Sequence, residues 1–126
     1  MSQISLNKSV VVYSSNENRL YLIQKSLENQ EIDLKLTNDI KEVMIHLDTF
    51  EVQKFILDLD FNVNIKHNLK IANDIFITYF YKYQDKAKEK FVTIAYDEAT
   101  EEFLNMMSIP NVKNTDFNFE EFLKFK

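Results

Sequence analysis

The residues best placed to do chemistry in this chain are polar groups that close apolar runs. Asp58 and Asp60 end residues 52–61 (VQKFILDLDF), Asp97 follows residues 91–96 (FVTIAY), and Ser14 and Ser15 follow residues 9–13 (SVVVY). Runs of this length without polar alternation are the pattern of strands buried on both faces of a parallel sheet. In open parallel sheets, what a protein binds or reacts with sits beyond the carboxyl ends of the strands, where strand order reverses. Asp58, Asp60 and Asp97 are therefore expected at one sheet edge, where three acids could together hold a cation. The plainer reading is that they are solvated loop acids.

The remaining reactive types are poorly supplied. His46 and His67 stand at no metal or triad spacing, Ser14 and Ser15 have no partnered base nearby in sequence, and cysteine is absent. Thiol catalysis, disulfides and zinc-thiolate sites are thereby excluded. Glycine is absent too, which removes the phosphate-cradling loops of dinucleotide-binding and P-loop proteins. Tight turns needing positive φ are expected to use asparagine instead. No residue is expected to act as a catalytic group, and the chain is read as non-enzymatic.

With 126 residues, the chain is expected to form one domain over 1–126 with a core of its own. Its 45% hydrophobic and 28% charged residues are those of an ordinary globular protein. A formal charge of −5 argues against nucleic acid as a partner, because phosphate backbones are held by clustered Lys and Arg. No apolar stretch approaches the ~20 residues that span a bilayer, and residues 1–8 show no signal core, so no membrane partner and a cytoplasmic location are expected.

The elements that must position the acids follow from periodicity. Leu20, Ile23 and Leu27 recur at helical spacing after Asn16 and Asn18, either of which can cap. Residues 31–36 (EIDLKL) alternate as a half-exposed edge strand, and Asp39 with Glu42 forms a capping box ahead of a second helix whose apolar face is Ile40, Val43, Met44 and Leu47. Residues 75–81 (IFITYFY) fit helix or strand by periodicity. Topology selects helix, since two parallel strands need a crossover of a dozen or more residues and 62–90 is the only stretch available, with its lysine-rich tail solvated. Residues 98–107 read as a short helix with Phe103, Leu104 and Met107 inward. Residues 109–113 read as a weak strand that Pro110 confines to an edge or a strand start. A last helix is capped by Asn118, with Glu121 closing a box and Phe117 stapled to Phe122. Strict β/α alternation predicts an α/β fold: a five-stranded parallel sheet with helices on both faces.

In this layout and in local phrases, residues 9–126 resemble the receiver domain of two-component response regulators. VVVYSSNENR is similar to that family's first strand and the start of its first helix, FILDLD to its third strand, and FNFEEFL to the opening of its last helix. The resemblance implies a flavodoxin-like, receiver-like sheet in the order 2-1-3-4-5 and places Asp58 at the phosphoacceptor position. It also exposes departures. Ser14 and Ser15 stand where the family has the acidic pair that holds Mg²⁺, Ala95 or Tyr96 where it has Thr or Ser, and Thr115, two residues from Lys113, where it has Lys. Serine hydroxyls are poor replacements for carboxylates at Mg²⁺, so no cofactor is expected. Phosphoryl transfer depends on positioning and charge neutralisation, both weakened here. The implied function is that of a pseudo-receiver, a signal-transduction domain acting through protein–protein interaction with phosphorylation lost or vestigial. The alternatives are phosphotransfer on a working Asp58 and a structural homo-oligomer.

For Asp58 itself, the reading opposed to phosphoacceptor is a strand-end carboxylate, solvated or hydrogen-bonded to serines and backbone amides. The aromatics Phe76, Tyr79, Phe80, Tyr81 and Tyr83 exceed what one helical face can bury, so Phe80, Tyr81 and Tyr83 either cover the sheet or form a contact surface. Leu123 and Phe125, on a short last helix, either suffice to cover the fourth and fifth units or leave a face for a signalling partner or a second copy.

Overall fold

The computed structural model describes residues 9–29, 31–58 and 65–123. Asp60 and Phe125 lie outside the described residues. Five strands form one parallel sheet: β1 (Ser9–Ser14), β2 (Asp33–Thr37), β3 (Lys54–Asp58), β4 (Phe91–Ala95) and β5 (Asn111–Lys113), in the order β2-β1-β3-β4-β5. The expected order 2-1-3-4-5 and the flavodoxin-like, receiver-like architecture are therefore observed. Order reverses beside β1, between β1 and β3.

Alternation along the strands divides the core in two. Val11, Tyr13, Phe55, Leu57, Phe91 and Ala95 face one layer, built by helices α2 (Ile40–Thr49), α3 (Ile65–Tyr83) and α5 (Glu98–Met106). Val10, Val12, Ile56, Val92 and Ile94 face the other, covered by Ile23 and Leu27 of α1 (Glu17–Leu27) and by Leu123 beyond α6 (Phe119–Phe122). Because both faces are covered, the central strands are apolar at nearly every position, the pattern legible in their sequences.

The segment 75–81 is helical, as crossover topology requires. The helix does not run on to residue 90. Gln84 takes a positive φ of 56°, a 3₁₀ turn covers Gln84–Lys86, and a one-turn α4 (Ala87–Lys90) buries Ala87, so the lysine-rich tail is partly folded back onto the core. β3 starts at Lys54 because the backbone of Val52 is taken by tyrosines of α3. Tyr79 donates to its carbonyl at 2.9 Å, and its amide donates to the Tyr83 hydroxyl at 2.6 Å. Among the described residues, positive φ falls on Gln84 and Ser108 rather than on asparagine. Ser108 closes α5 as the left-handed residue of a Schellman turn, with Ile109 N–H on the Leu104 carbonyl and Ser108 N–H on the Asn105 carbonyl.

The caps fall mostly where expected. Asn16 accepts from Arg19 N–H and Asn118 from Glu121 N–H, and the Phe117 and Phe122 rings lie 5.8 Å apart. Asp39 caps α2, but Glu42 does not reach back to it. Lys35 (3.1 Å) and the Thr37 hydroxyl (3.0 Å) hold Glu42 across the sheet edge and keep its carboxyl below the usual range, and Thr37 takes the Asp39 N–H instead. In α5, Thr100 and Leu104 are buried and Met107 packs at the core margin, while Phe103 is turned to solvent. Pro110 sits just before β5, an edge strand, where its carbonyl accepts from Thr93 N–H. No helix among the described residues is long and apolar enough to cross a membrane.

Candidate functional site

Register builds the site. Ser14, the last residue of β1, pairs with Asp58, the last of β3, in the two strands where order reverses. Both share the side-chain parity of Val12 and Ile56, so both point toward the α1 layer. Tyr96 follows β4 with the parity of Ile94 and points the same way, whereas Ala95 is buried in the opposite layer. Arg19 enters from above, in the first turn of α1, which the Asn16 cap anchors directly after β1.

Three of these side chains close on one carboxylate, that of Asp58. Asp58 Oδ2 accepts from the Ser14 hydroxyl at 2.8 Å and from Arg19 Nε at 2.8 Å, and Oδ1 accepts from the Tyr96 hydroxyl. The main-chain carbonyl of Asp58 takes the Ser15 N–H at 3.1 Å, which ties the strand end to the β1–α1 turn. The Asp58 side chain is 1% exposed and that of Arg19 30%. The guanidinium also lies 4.5 Å from the centroid of the Tyr96 ring, a cation–π stack that fixes ring and cation together. Ser14 Oγ turns back to its own loop as well, accepting from Asn16 N–H. A buried carboxylate is tolerable only when paired and hydrogen-bonded, and Asp58 is both.

The donor set answers whether the Mg²⁺ implied by the receiver resemblance would fit. Mg²⁺ asks for near-octahedral oxygen ligands, supplied by carboxylates and water. Among the described residues, the side chains on Asp58 are the Ser14 and Tyr96 hydroxyls and, on Oδ2, a guanidinium whose positive charge repels a second cation. The residues do not fit the ion. Among the described residues, no three His, Asp or Glu side chains gather as metal ligands. Asp97 instead caps α5, accepting Thr100 N–H at 2.7 Å. That bond from the Thr100 backbone holds the Asp97 carboxyl below its ordinary value.

Beside the carboxylate lies a cleft of about 290 Å³, walled by Leu22, Ile23 and Ser26 of α1 on one side and Asn114 and Phe117 on the other. Ser15 is exposed at the turn, and Thr115 lies exposed in a hollow with Asp97 and Lys113 rather than against Asp58. Of the serine pair, Ser14 places its hydroxyl on the carboxylate and Ser15 its amide on the Asp58 carbonyl. His46 stacks on Phe50 at 4.7 Å, and burial first of all depresses its pKa; His67 is exposed in the first turn of α3. Of the aromatics considered as a contact surface, Tyr81 is exposed, but Phe80 packs against the core and Tyr83 is half-buried with its hydroxyl on Glu51 and Val52. Leu123 is buried. Arg19 is the partner of Asp58 that sequence reasoning passed over, and Tyr96 entered it only as the alternative to Ala95 at the family's Thr or Ser position. The parity of Tyr96 with Ile94, and a cation one turn into the helix that follows Ser14, were the available signals.

No protein-family model matches the chain, and no curated protein matches it in sequence. Solved structures do match in fold. A chain in the co-crystal structure of the Saccharomyces cerevisiae histidine phosphotransfer signalling protein Ypd1 with the receiver domain of its downstream response regulator Ssk1 aligns with TM-score 0.59 and 11% identity, covering 92% of this chain and 84% of that one. The solution structure of a de novo designed Rossmann 2x3 protein aligns with TM-score 0.58 and 16% identity, over 91% and 82% of the two chains. At such identities the likeness is one of fold, and a designed protein shares it equally with a natural one.

Proposed function

We propose that the chain is a receiver-like module of signal transduction that works by binding a protein partner, with no catalysis of its own and without Mg²⁺-dependent phosphorylation. Asp58 serves in it as a structural tether rather than a phosphoacceptor. The observation that supports this most is the closed state of the carboxylate, with both oxygens engaged and the side chain 1% exposed.

Phosphoryl transfer needs an accessible oxygen in line with the donor and positive charge on the transferring group. Here a fixed guanidinium faces the attacking oxygen, where it lowers the carboxylate's nucleophilicity. The tether's physical role is to lock α1, β1, β3 and the β4–α5 turn into one rigid edge, which suits a surface that must present a constant shape to a partner. A precedent for protein contact by this fold is the neighbour crystallised with a histidine phosphotransfer protein.

Incubation with Mg²⁺ and a small-molecule phosphodonor, followed by intact-mass measurement, tests the proposal. The expected result is no phosphoryl adduct. A labile adduct that is absent in Asp58→Asn would overturn it.

A further inference from the structure

At the end of the sheet opposite Asp58, where the strands begin, a hollow of about 410 Å³ opens beneath the C-terminus of α2. It is lined by Ser9, Asp33, His46, Thr49, Phe50 and Glu51. Small-molecule sites run from ~300 to ~1,000 Å³, so the hollow is large enough for a ligand.

Strand register builds it. Ser9 and Asp33 open β1 and β2 and are paired across the sheet, so their side chains stand side by side on one face. Ser9 has the parity of Val11 and Tyr13, and Asp33 that of Lys35 and Thr37, which hold Glu42 of α2; both therefore point into the α2 layer. On the other side of β1 the chain enters β3 with Gln53 N–H on the Ser9 carbonyl at 2.8 Å, which brings Glu51 to the same edge. Glu51 Oε2 accepts from the Tyr83 hydroxyl at 3.1 Å, which fixes that carboxylate. Phe50 ends α2 with its N–H on the His46 carbonyl, and the two rings stack at 4.7 Å, with Phe50 53% exposed.

The polar groups here ask for a cation. Asp33 and Glu51 lie at the negative end of the α2 dipole, where acids are disfavoured. Among the described residues no lysine or arginine lines the hollow. Lys35 is held by Glu42 at 3.1 Å, and the Lys82 ammonium answers the last carbonyls of α2, those of Leu47 and Phe50, rather than either acid. Burial, ahead of the charge of Lys35, holds His46 below its ordinary pKa, so its ring is uncharged near neutral pH. Ser9 is 6% exposed, yet its hydroxyl has no hydrogen bond among the described residues. A buried hydroxyl needs a partner, and the hollow is where one can come from.

We infer that this hollow binds a short aliphatic diamine, one ammonium on Asp33 and the other on Glu51, with the methylene chain along the His46 and Phe50 rings. The Ser9 hydroxyl accepts from the ammonium on Asp33. Each ammonium brings three donors, and its charge and flanking methylenes suit an aromatic face. Neighbouring strands lie about 4.8 Å apart, so acids one strand to either side of Ser9 are roughly 10 Å apart at the backbone, a span for two linked charges rather than one. A bare divalent ion would need more oxygen ligands than these separated acids supply.

Putrescine titrated into the protein and followed by backbone amide chemical shifts tests this. The expected result is saturable binding centred on Ser9, Asp33, His46 and Phe50, at least about tenfold tighter than that of butylamine, which carries one ammonium. Asp33→Asn and Glu51→Gln should each weaken it about tenfold, by loss of a charge-assisted bond. Asp116→Asn removes the same charge from an exposed loop at the far end of the sheet and should leave binding unchanged. Absence of saturable binding, butylamine bound as tightly, or binding that neither lining variant weakens would overturn the inference. So would an equal loss in Asp116→Asn, which would reduce the effect to attraction by the net charge of −5.

Discussion

Replacing one partner of the Asp58–Arg19 pair probes how far the fold depends on the closed carboxylate. Arg19→Met keeps an unbranched stem but removes the guanidinium that lies over Tyr96, and it leaves a carboxylate that is 1% exposed with the Ser14 and Tyr96 hydroxyls as its donors. One-sided removal from a buried pair costs about 3–5 kcal/mol. Arg19 is itself 30% exposed, so water screens part of its charge, and the expected loss falls to about 2–3 kcal/mol. Asp58→Asn leaves an acceptor for some donors and lets Arg19 relax toward solvent, which makes about 1–2 kcal/mol the expected loss. Once the carboxylate is gone Arg19 has less to neutralise, so the double variant should lose less than the sum, with a coupling of about 1–2 kcal/mol. Urea unfolding of the four proteins measures all three quantities, and heating should give a fall of roughly 3–6 °C per kcal/mol for a domain of this size. If both single changes lie within about 0.5 kcal/mol of the parent, as surface substitutions do, the tether does not exist.

Other outcomes follow from the same physics. Ser108 holds φ 59° at the end of α5, a conformation that suits glycine, so Ser108→Gly should stabilise the protein by up to about 1 kcal/mol in chemical denaturation. Burial raises the phenol pKa of Tyr79 and takes that of Tyr83 up to about 12, from 10.0. Both phenols are raised in the folded state, so their contribution to stability is complete below pH 10.0; that of Tyr83 is lost as pH rises toward about 12, and that of Tyr79, raised further, is still declining there. Unfolding free energy measured across that range should fall, less steeply in Tyr83→Phe. Tyr79→Phe strands the Val52 carbonyl and should cost about 1–3 kcal/mol, read from the urea midpoint.

The sheet was legible because its cause is written locally. Val10 to Val12, Phe55 to Leu57 and Phe91 to Ile94 are apolar without alternation, and only strands covered on both faces tolerate that. The helical state of 75–81 was legible from connectivity, not from propensity, since its β-branched and aromatic residues favour a strand. What stayed hidden depends on long-range geometry. Nothing near Asp58 in sequence announces Arg19, 39 residues away, or Tyr96, 38 away; register and strand parity bring them together. The box expected between Asp39 and Glu42 failed because Lys35 and Thr37 of β2 offered Glu42 stronger partners. The break at Gln84 was invisible because glutamine carries no turn signal, and asparagine was expected to hold the positive φ that Gln84 and Ser108 adopt.

The central claim is that an internal guanidinium holds the place at the end of β3 where a receiver domain would hold a metal ion. A crystal structure of the protein grown in Mg²⁺ tests it most directly. The account predicts Arg19 Nε and the Ser14 hydroxyl on Asp58 Oδ2, Tyr96 on Oδ1, and no ion among them. An octahedral Mg²⁺ bound to Asp58 and the serine pair, with Arg19 displaced, would contradict it.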